Sequence, residues 1–228
     1  MITGSLRFKV IFIIVLTVLF WQTSKLWSSY SENTRVKKIF ESAKENTQQI
    51  LITVYYEALC PDSRNFIIKQ LVPTFESLED YIEVQLIPYG KAETIVTSDD
   101  YVFKCQHGEL ECEANIVHAC SINKITDSRK SLELIACMIR NNLQPFDILE
   151  SCAGGLDEYK TILNCAQSNE GRRLLAKYGE VTNDLNPKVN FIPTITLDNE
   201  FDNQILILKN LMNQVCQRLL SPPKICDS

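Results

Sequence analysis

The chain is predicted to be an α/β fold interrupted by a disulfide-rich helical insertion, and three observations predict it. A β-rich run at 50–56 is followed at once by a proline-led helical pattern and then by a second β-rich run. A further β-rich run and a helical pattern close the chain. Between these halves, residues 91–188 repeat their apolar positions at helical spacing and carry six cysteines.

Composition bounds the rest. With 228 residues, 45% hydrophobic content and only seven glycines, the chain has the size of one globular domain with a short appendage. A net charge of −5 and a pI near 5.2, with basic residues scattered along the chain, give no electrostatic footprint for nucleic acid. Nine cysteines are many for a reducing cytosol and point to an oxidising secretory compartment. Arg7 and Lys9 precede an apolar run at 10–21, so residues 1–24 read as a signal peptide or an uncleaved signal anchor. The run falls short of the roughly 20 apolar residues that span a bilayer. Stable membrane association is therefore expected only if it is retained. Residues 25–49 read as a polar linker that ends in a short helix at 34–44.

In chain order, Ile50-Leu51-Ile52-Thr53-Val54-Tyr55-Tyr56 has the β-branched and aromatic content of a buried strand. Pro61 suits the first helical position, where its missing N–H costs nothing, and Phe66, Ile67, Gln70, Leu71 and Phe75 continue at helical spacing. Residues 81–89, YIEVQLIPY, read as the second strand. Strand, helix, strand with Cys60 at the first turn is the opening of a thioredoxin-like core. In the insertion, Ile116 and Ala119, then Leu132, Ile135, Ala136 and Ile139, then Leu174, Leu175 and Tyr178 mark helices. Residues 189–197, VNFIPTITL, read as a strand interrupted by Pro193. Asp198-Asn199 then turns into a short strand at Glu200-Phe201, and 203–220 reads as one closing helix.

The chemistry concentrates at Cys60-Pro61-Asp62-Ser63, a redox motif with its first thiol present and a serine in place of its second. The unpaired N–H groups of a helix N-terminus favour a thiolate there. Ser63 could donate a hydrogen bond to it, and Asp62 is expected to face solvent. Setting Cys60 aside leaves eight cysteines, an even number: Cys105, Cys112, Cys120, Cys137, Cys152, Cys165, Cys216 and Cys226. Of the possible bridges, Cys216 with Cys226 is the easy one to read, as a clip of the C-terminal tail.

Residues 105–120 read CQHGELECEANIVHAC, in which Cys105, Gln106, His107, Gly108, Glu111, Cys112, Asn115 and Cys120 stand at fixed spacings. With Cys60 upstream, this pattern resembles the signature of the gamma-interferon-inducible lysosomal thiol reductase (GILT) family, over about 50–226. The resemblance implies a lumenal or secreted protein with a thioredoxin-like core that acts on protein disulfides. Cys60 and Ser63 would then form the catalytic motif. Pro61, Ile192 and Pro193 would line the substrate groove, with Ile192-Pro193 cis rather than an edge or bulge proline.

Relatives that resemble the founding reductase carry two cysteines separated by two residues, and Ser63 cannot resolve a mixed disulfide as the second would. No bound cofactor is implied, and an external thiol such as glutathione or cysteine would release the product. Lysosomal delivery in the family is tied to N-linked sugars, and this chain has no Asn-x-Ser/Thr sequon. Secretion and endosomal or lysosomal residence both stay open. Two other readings stand beside the enzyme: a non-catalytic binding or chaperone-like protein that keeps the fold, and a metal-bound module using Cys105, His107, Cys112, His118 and Cys120. Their spacings match no common zinc finger, so no metal is assigned.

Overall fold

The structure is a computed structural model that describes residues 21, 22, 25, 49–98, 100–201 and 203–227. The chain divides into two units, Met1–Thr47 and Gln48–Ser228. The signal segment, and the linker with its helix at 34–44, lie outside the described residues apart from 21, 22, 25 and 49. Among the described residues, no helix is long and apolar enough to cross a membrane.

The second unit is built on a three-stranded sheet. Strand β1 (Ile50–Tyr56) lies at its centre, parallel to β2 (Ile82–Pro88) and antiparallel to β5 (Thr194–Leu197). Ile50, Ile52 and Val54 are fully buried in β1, each worth about 1.5–3 kcal/mol relative to exposure. The crossover from β1 to β2 is helical from 61 to 78. It runs as α1 (Pro61–Phe66), a π-turn (Ile67–Leu71) and α2 (Val72–Leu78). The π-turn has a local cause. Pro73 lacks an N–H and would crowd the carbonyl four residues back, and widening the preceding turn, with Val72 N donating to Ile67 O, absorbs the misfit.

Strand β2 begins at Ile82 because residues Glu79–Tyr81 form a 3₁₀ turn. The insertion then departs from the helical expectation at its start. Strands β3 (Glu93–Val96) and β4 (Tyr101–Lys104) form an antiparallel hairpin, built from Thr94, Ile95, Val96, Tyr101, Val102 and Phe103, whose branched and aromatic side chains favour strand. Helices follow: α3 (Glu109–Lys124), α4 (Ser128–Met138), α5 (Pro145–Ala153), α6 (Tyr159–Ala166) and α7 (Asn169–Asp184). Helix α3 is buried around most of its circumference and is the axis of the insertion; with α7 it packs on β2.

The closing segment differs from expectation in three places. Residues 189–193 are irregular and the strand is only Thr194–Leu197, since Pro193 has no N–H to give to a ladder; Asn186-Pro187 and Ile192-Pro193 are both cis. Asp198 and Asn199 both take positive φ (53° and 64°), a turn so tight that Glu200 forms a single bridge to Leu197 and no second strand develops. The closing helix breaks into α8 (Gln204–Lys209) and α9 (Leu211–Arg218) at Asn210, whose side chain accepts a hydrogen bond from Asn213 N and so caps the second helix. Asparagine competes for backbone partners in this way and favours caps over helix interiors.

Candidate active site

Cys60 stands where β1 hands over to α1. Its backbone N–H donates to Glu57 O (3.3 Å), which closes the turn, and its carbonyl accepts from Arg64 N (3.1 Å), which opens the helix. Pro61 follows at the first helical position. Among the described residues Cys60 is the one cysteine outside a disulfide, and it is 8% exposed. Its Sγ donates a long hydrogen bond to Ile192 O (3.9 Å), the residue before the cis Pro193. A groove of about 440 Å³ is lined by Asp62, Asn65 and Phe66 of α1 and by Phe191, Ile192 and Pro193. A second hollow of about 150 Å³ is lined by Ala58, Leu59 and Arg64 together with Ile139, Asn142 and Leu143. A hollow of about 240 Å³ bounded by Phe75, Arg129 and Arg140 shares no residue with the Cys60 turn and offers no free nucleophile.

Asp62 is exposed, as the sequence led us to expect. Ser63 does something the sequence did not suggest. It is fully buried, its Oγ accepts from Glu57 N (3.3 Å), and no hydrogen bond joins it to Cys60. It therefore holds the turn in place rather than contacting the sulfur.

The 105–120 segment braces the same turn. Cys105 and Cys112 are bonded to each other, which closes a loop over the start of α3. Within that loop Gly108 N donates to Cys105 O, and Gly108 takes φ +87° and ψ −173°, a conformation essentially reserved for glycine. Gln106 is exposed at the turn. Glu111, three residues into α3, reaches back in the manner of a capping box to accept from His107 N (3.0 Å), while its other oxygen meets His107 Nδ1 at 2.6 Å. One turn further, the buried Asn115 Oδ1 accepts from Ala58 N (2.9 Å), pinning the chain two residues before Cys60. Cys120 bonds Cys165, tying α3 to α6.

The remaining cysteines pair as Cys137–Cys152, between α4 and α5, and Cys216–Cys226, between α9 and the C-terminal 3₁₀ turn. The sulfur and histidine donor set weighed for zinc does not assemble: Cys105, Cys112 and Cys120 are all in disulfides. His118 is fully buried; Asn142 Nδ2 donates to its Nε2 (2.9 Å), leaving Nδ1 to donate to Tyr56 Oη (3.0 Å). Burial lowers its pKa to about 3, so the ring stays neutral.

Glu57 and Asn142 are the residues that sequence reasoning missed. Glu57 is 1% exposed and lies within 3.5 Å of His107 Nδ1. Burial, and then the adjacent Glu111 carboxylate, push its carboxyl above the usual range, against the pull of the Lys91 N–H. The available signal was an acid straight after an apolar strand, three residues before the cysteine.

A family model described as gamma interferon inducible lysosomal thiol reductase (GILT) matches residues 51–156. A gamma-interferon-inducible lysosomal thiol reductase-like protein of Anopheles gambiae is 33% identical over 193 residues, covering 78% of this chain and 80% of that one. The gamma-interferon-inducible lysosomal thiol reductase of Carassius auratus is 33% identical over 178 residues (76% and 70%). Among solved structures, oxidised BdbD from Bacillus subtilis superposes with a TM-score of 0.53 at 8% identity, covering 73% of this chain and 85% of that one. Chlamydia trachomatis DsbA gives 0.53 at 13% (75% and 88%). These two likenesses establish the thioredoxin-like fold. The sequence relatives go further, and they place this chain in the gamma-interferon-inducible lysosomal thiol reductase family.

Proposed function

We propose that the protein is a thiol-disulfide oxidoreductase of the secretory or endolysosomal lumen that works through Cys60 alone. The observation that carries this reading is that every other described cysteine is in a disulfide, while Cys60 stands free at a strand-to-helix turn beside the groove of Ile192 and Pro193. The Cys60 thiolate attacks one sulfur of a protein disulfide; the S–S bond breaks, and the departing sulfur leaves as a thiolate that takes a proton from solvent. A small thiol such as glutathione or cysteine then attacks Cys60 Sγ and frees the substrate. A second regenerates Cys60. Two donor thiols are oxidised to one disulfide for each substrate disulfide reduced, and a thiol of the substrate itself, attacking instead, gives isomerisation.

The test is alkylation of the folded chain near pH 5 and turnover of a protein disulfide with a small-thiol donor. Cys60 is expected to be modified, and Cys60→Ser to abolish turnover and mixed-disulfide trapping. Ser63→Cys supplies a resolving thiol and is expected to shorten the lifetime of the trapped mixed disulfide. The 8% exposure of Cys60 favours a second reading, a non-catalytic binding protein that keeps the fold. Client binding and phenotype unchanged in Cys60→Ser would select it.

A further inference from the structure

Glu57 and Glu111 bury their carboxylates side by side, 1% and 0% exposed, against the imidazole of His107, whose side chain is 35% exposed. Each carboxylate has one oxygen held by a backbone amide: Lys91 N donates to Glu57 Oε1 (2.9 Å) and His107 N to Glu111 Oε1 (3.0 Å). The other two oxygens both aim at His107 Nδ1, at 3.5 Å from Glu57 and 2.6 Å from Glu111. Glu57 Oε2 is buried and accepts no hydrogen bond. Gly90, at φ +61°, leaves the space that Glu57 fills, since a Cβ there would lie 2.2 Å from Glu57 Cγ. One donor atom from each of the three residues lies within 4.8 Å of the others.

Burying a polar oxygen with no partner is costly, and Glu57 Oε2 is such an atom, facing a second buried carboxylate and an imidazole. A divalent cation with a neutral imidazole balances the set. Metal–ligand bonds of about 2.0–2.1 Å in a tetrahedron put neighbouring donors about 3.3 Å apart. The Glu57 to His107 edge already has that length, and the Glu111 to His107 edge must open by less than about 1 Å, which the partly exposed imidazole can supply by swinging outward. Its exposed side leaves a fourth position for water. The two amides that pin the carboxylates orient them as outer-shell partners do in metal sites. One imidazole and two carboxylates suit a first-row divalent ion.

We propose that Glu57, His107 and Glu111 form a divalent transition-metal site, with Zn²⁺ the ion it fits best, fastening the 105–112 loop to the turn that carries Cys60. Glu57 O accepts from Cys60 N and Glu57 N donates to Ser63 Oγ, so an ion on the Glu57 side chain also steadies the backbone under the nucleophile. The site does not depend on the redox reading and is tested without it.

The experiment is titration of the chelator-stripped, folded full chain with Zn²⁺ by calorimetry, in wild type and in Cys60→Ser, so that the free thiol is removed as a competing ligand. One Zn²⁺ per chain is expected in both, with a raised melting temperature. Affinity should fall by at least about tenfold in His107→Gln and in Glu57→Gln. Because His107 is partly exposed, His107→Gln carries the test alone if Glu57→Gln does not fold. Co²⁺ should give weak ligand-field bands without a thiolate charge-transfer band. No uptake by the wild type, uptake lost in Cys60→Ser, a thiolate band with Co²⁺, or full affinity in His107→Gln would each overturn the proposal.

Discussion

His118 is sealed between Tyr56 and Asn142, and burial brings its pKa from 6.5 to about 3. The sign of its effect on stability follows from linkage. Between pH 6.5 and 3 the unfolded chain binds a proton that the folded chain refuses, so stability falls as the solution is acidified. By pH 5 this amounts to about 2 kcal/mol, and to about 4–5 kcal/mol near pH 3. His118→Gln removes the titration at the cost of a ring contact. It should be less stable than wild type at pH 7.5, with the gap narrowing by about 2 kcal/mol at pH 5 when urea midpoints are compared. A gap that stays constant would clear His118 of any part in acid sensitivity. Single residues of this kind were only partly legible in the sequence. The cysteines can be read from chemistry that any fold would impose, whereas Gly108 was visible only as a fixed position of the family pattern. The partnerships of Glu57 with His107 and of His118 with Tyr56 join residues about fifty to sixty positions apart, and no local pattern encodes them.

At the scale of elements, α6 and α7 meet through Gly171. A Cβ there would lie 2.7 Å from Ile116 Cγ2 and 2.8 Å from Cys165 O, and that carbonyl belongs to a residue bonded to Cys120 and so has little freedom to retreat. Alanine gains about 1 kcal/mol of helix propensity over glycine, while overpacking costs about 1–3 kcal/mol. Gly171→Ala should therefore lose about 1 kcal/mol net, read as a lower melting temperature. Gly155, with nothing within 4 Å of its would-be Cβ, serves as the control and should change by less than about 0.5 kcal/mol when made alanine. The elements that were legible had one strong period and clear ends, as in β1 with Pro61 directly after the turn. The β3–β4 hairpin was hidden because its four-residue strands are too short for period two to stand out from a helical pattern. The break at Asn210 was hidden because the apolar stripe runs on through it.

For the whole molecule, the four disulfides divide the labour unevenly. Three lie within the insertion and one clips the C-terminus; none crosses from the sheet to the insertion. That seam is held by packing of α3 and α7 on β2 and by the bonds from Asn115 and His118 to the end of β1. Cys120–Cys165 spans the longest loop, 45 residues, and its removal by paired alanines should cost about 2–5 kcal/mol in urea unfolding. Alkylation of Cys60 in the folded state should persist in that variant. Mass spectrometry of the unreduced, unfolded chain should find one alkylated thiol. The bridges also differ in how far they lie from solvent: Cys120 and Cys165 are interior, whereas Cys137 is exposed and Cys152 half-buried. A small thiol supplied as reductant also attacks the disulfides it can touch. Timed peptide mapping should find the 137–152 link opening first and the 120–165 link last, so that a weathered molecule sheds its outer lacing while the bolt between α3 and α6 is still shut.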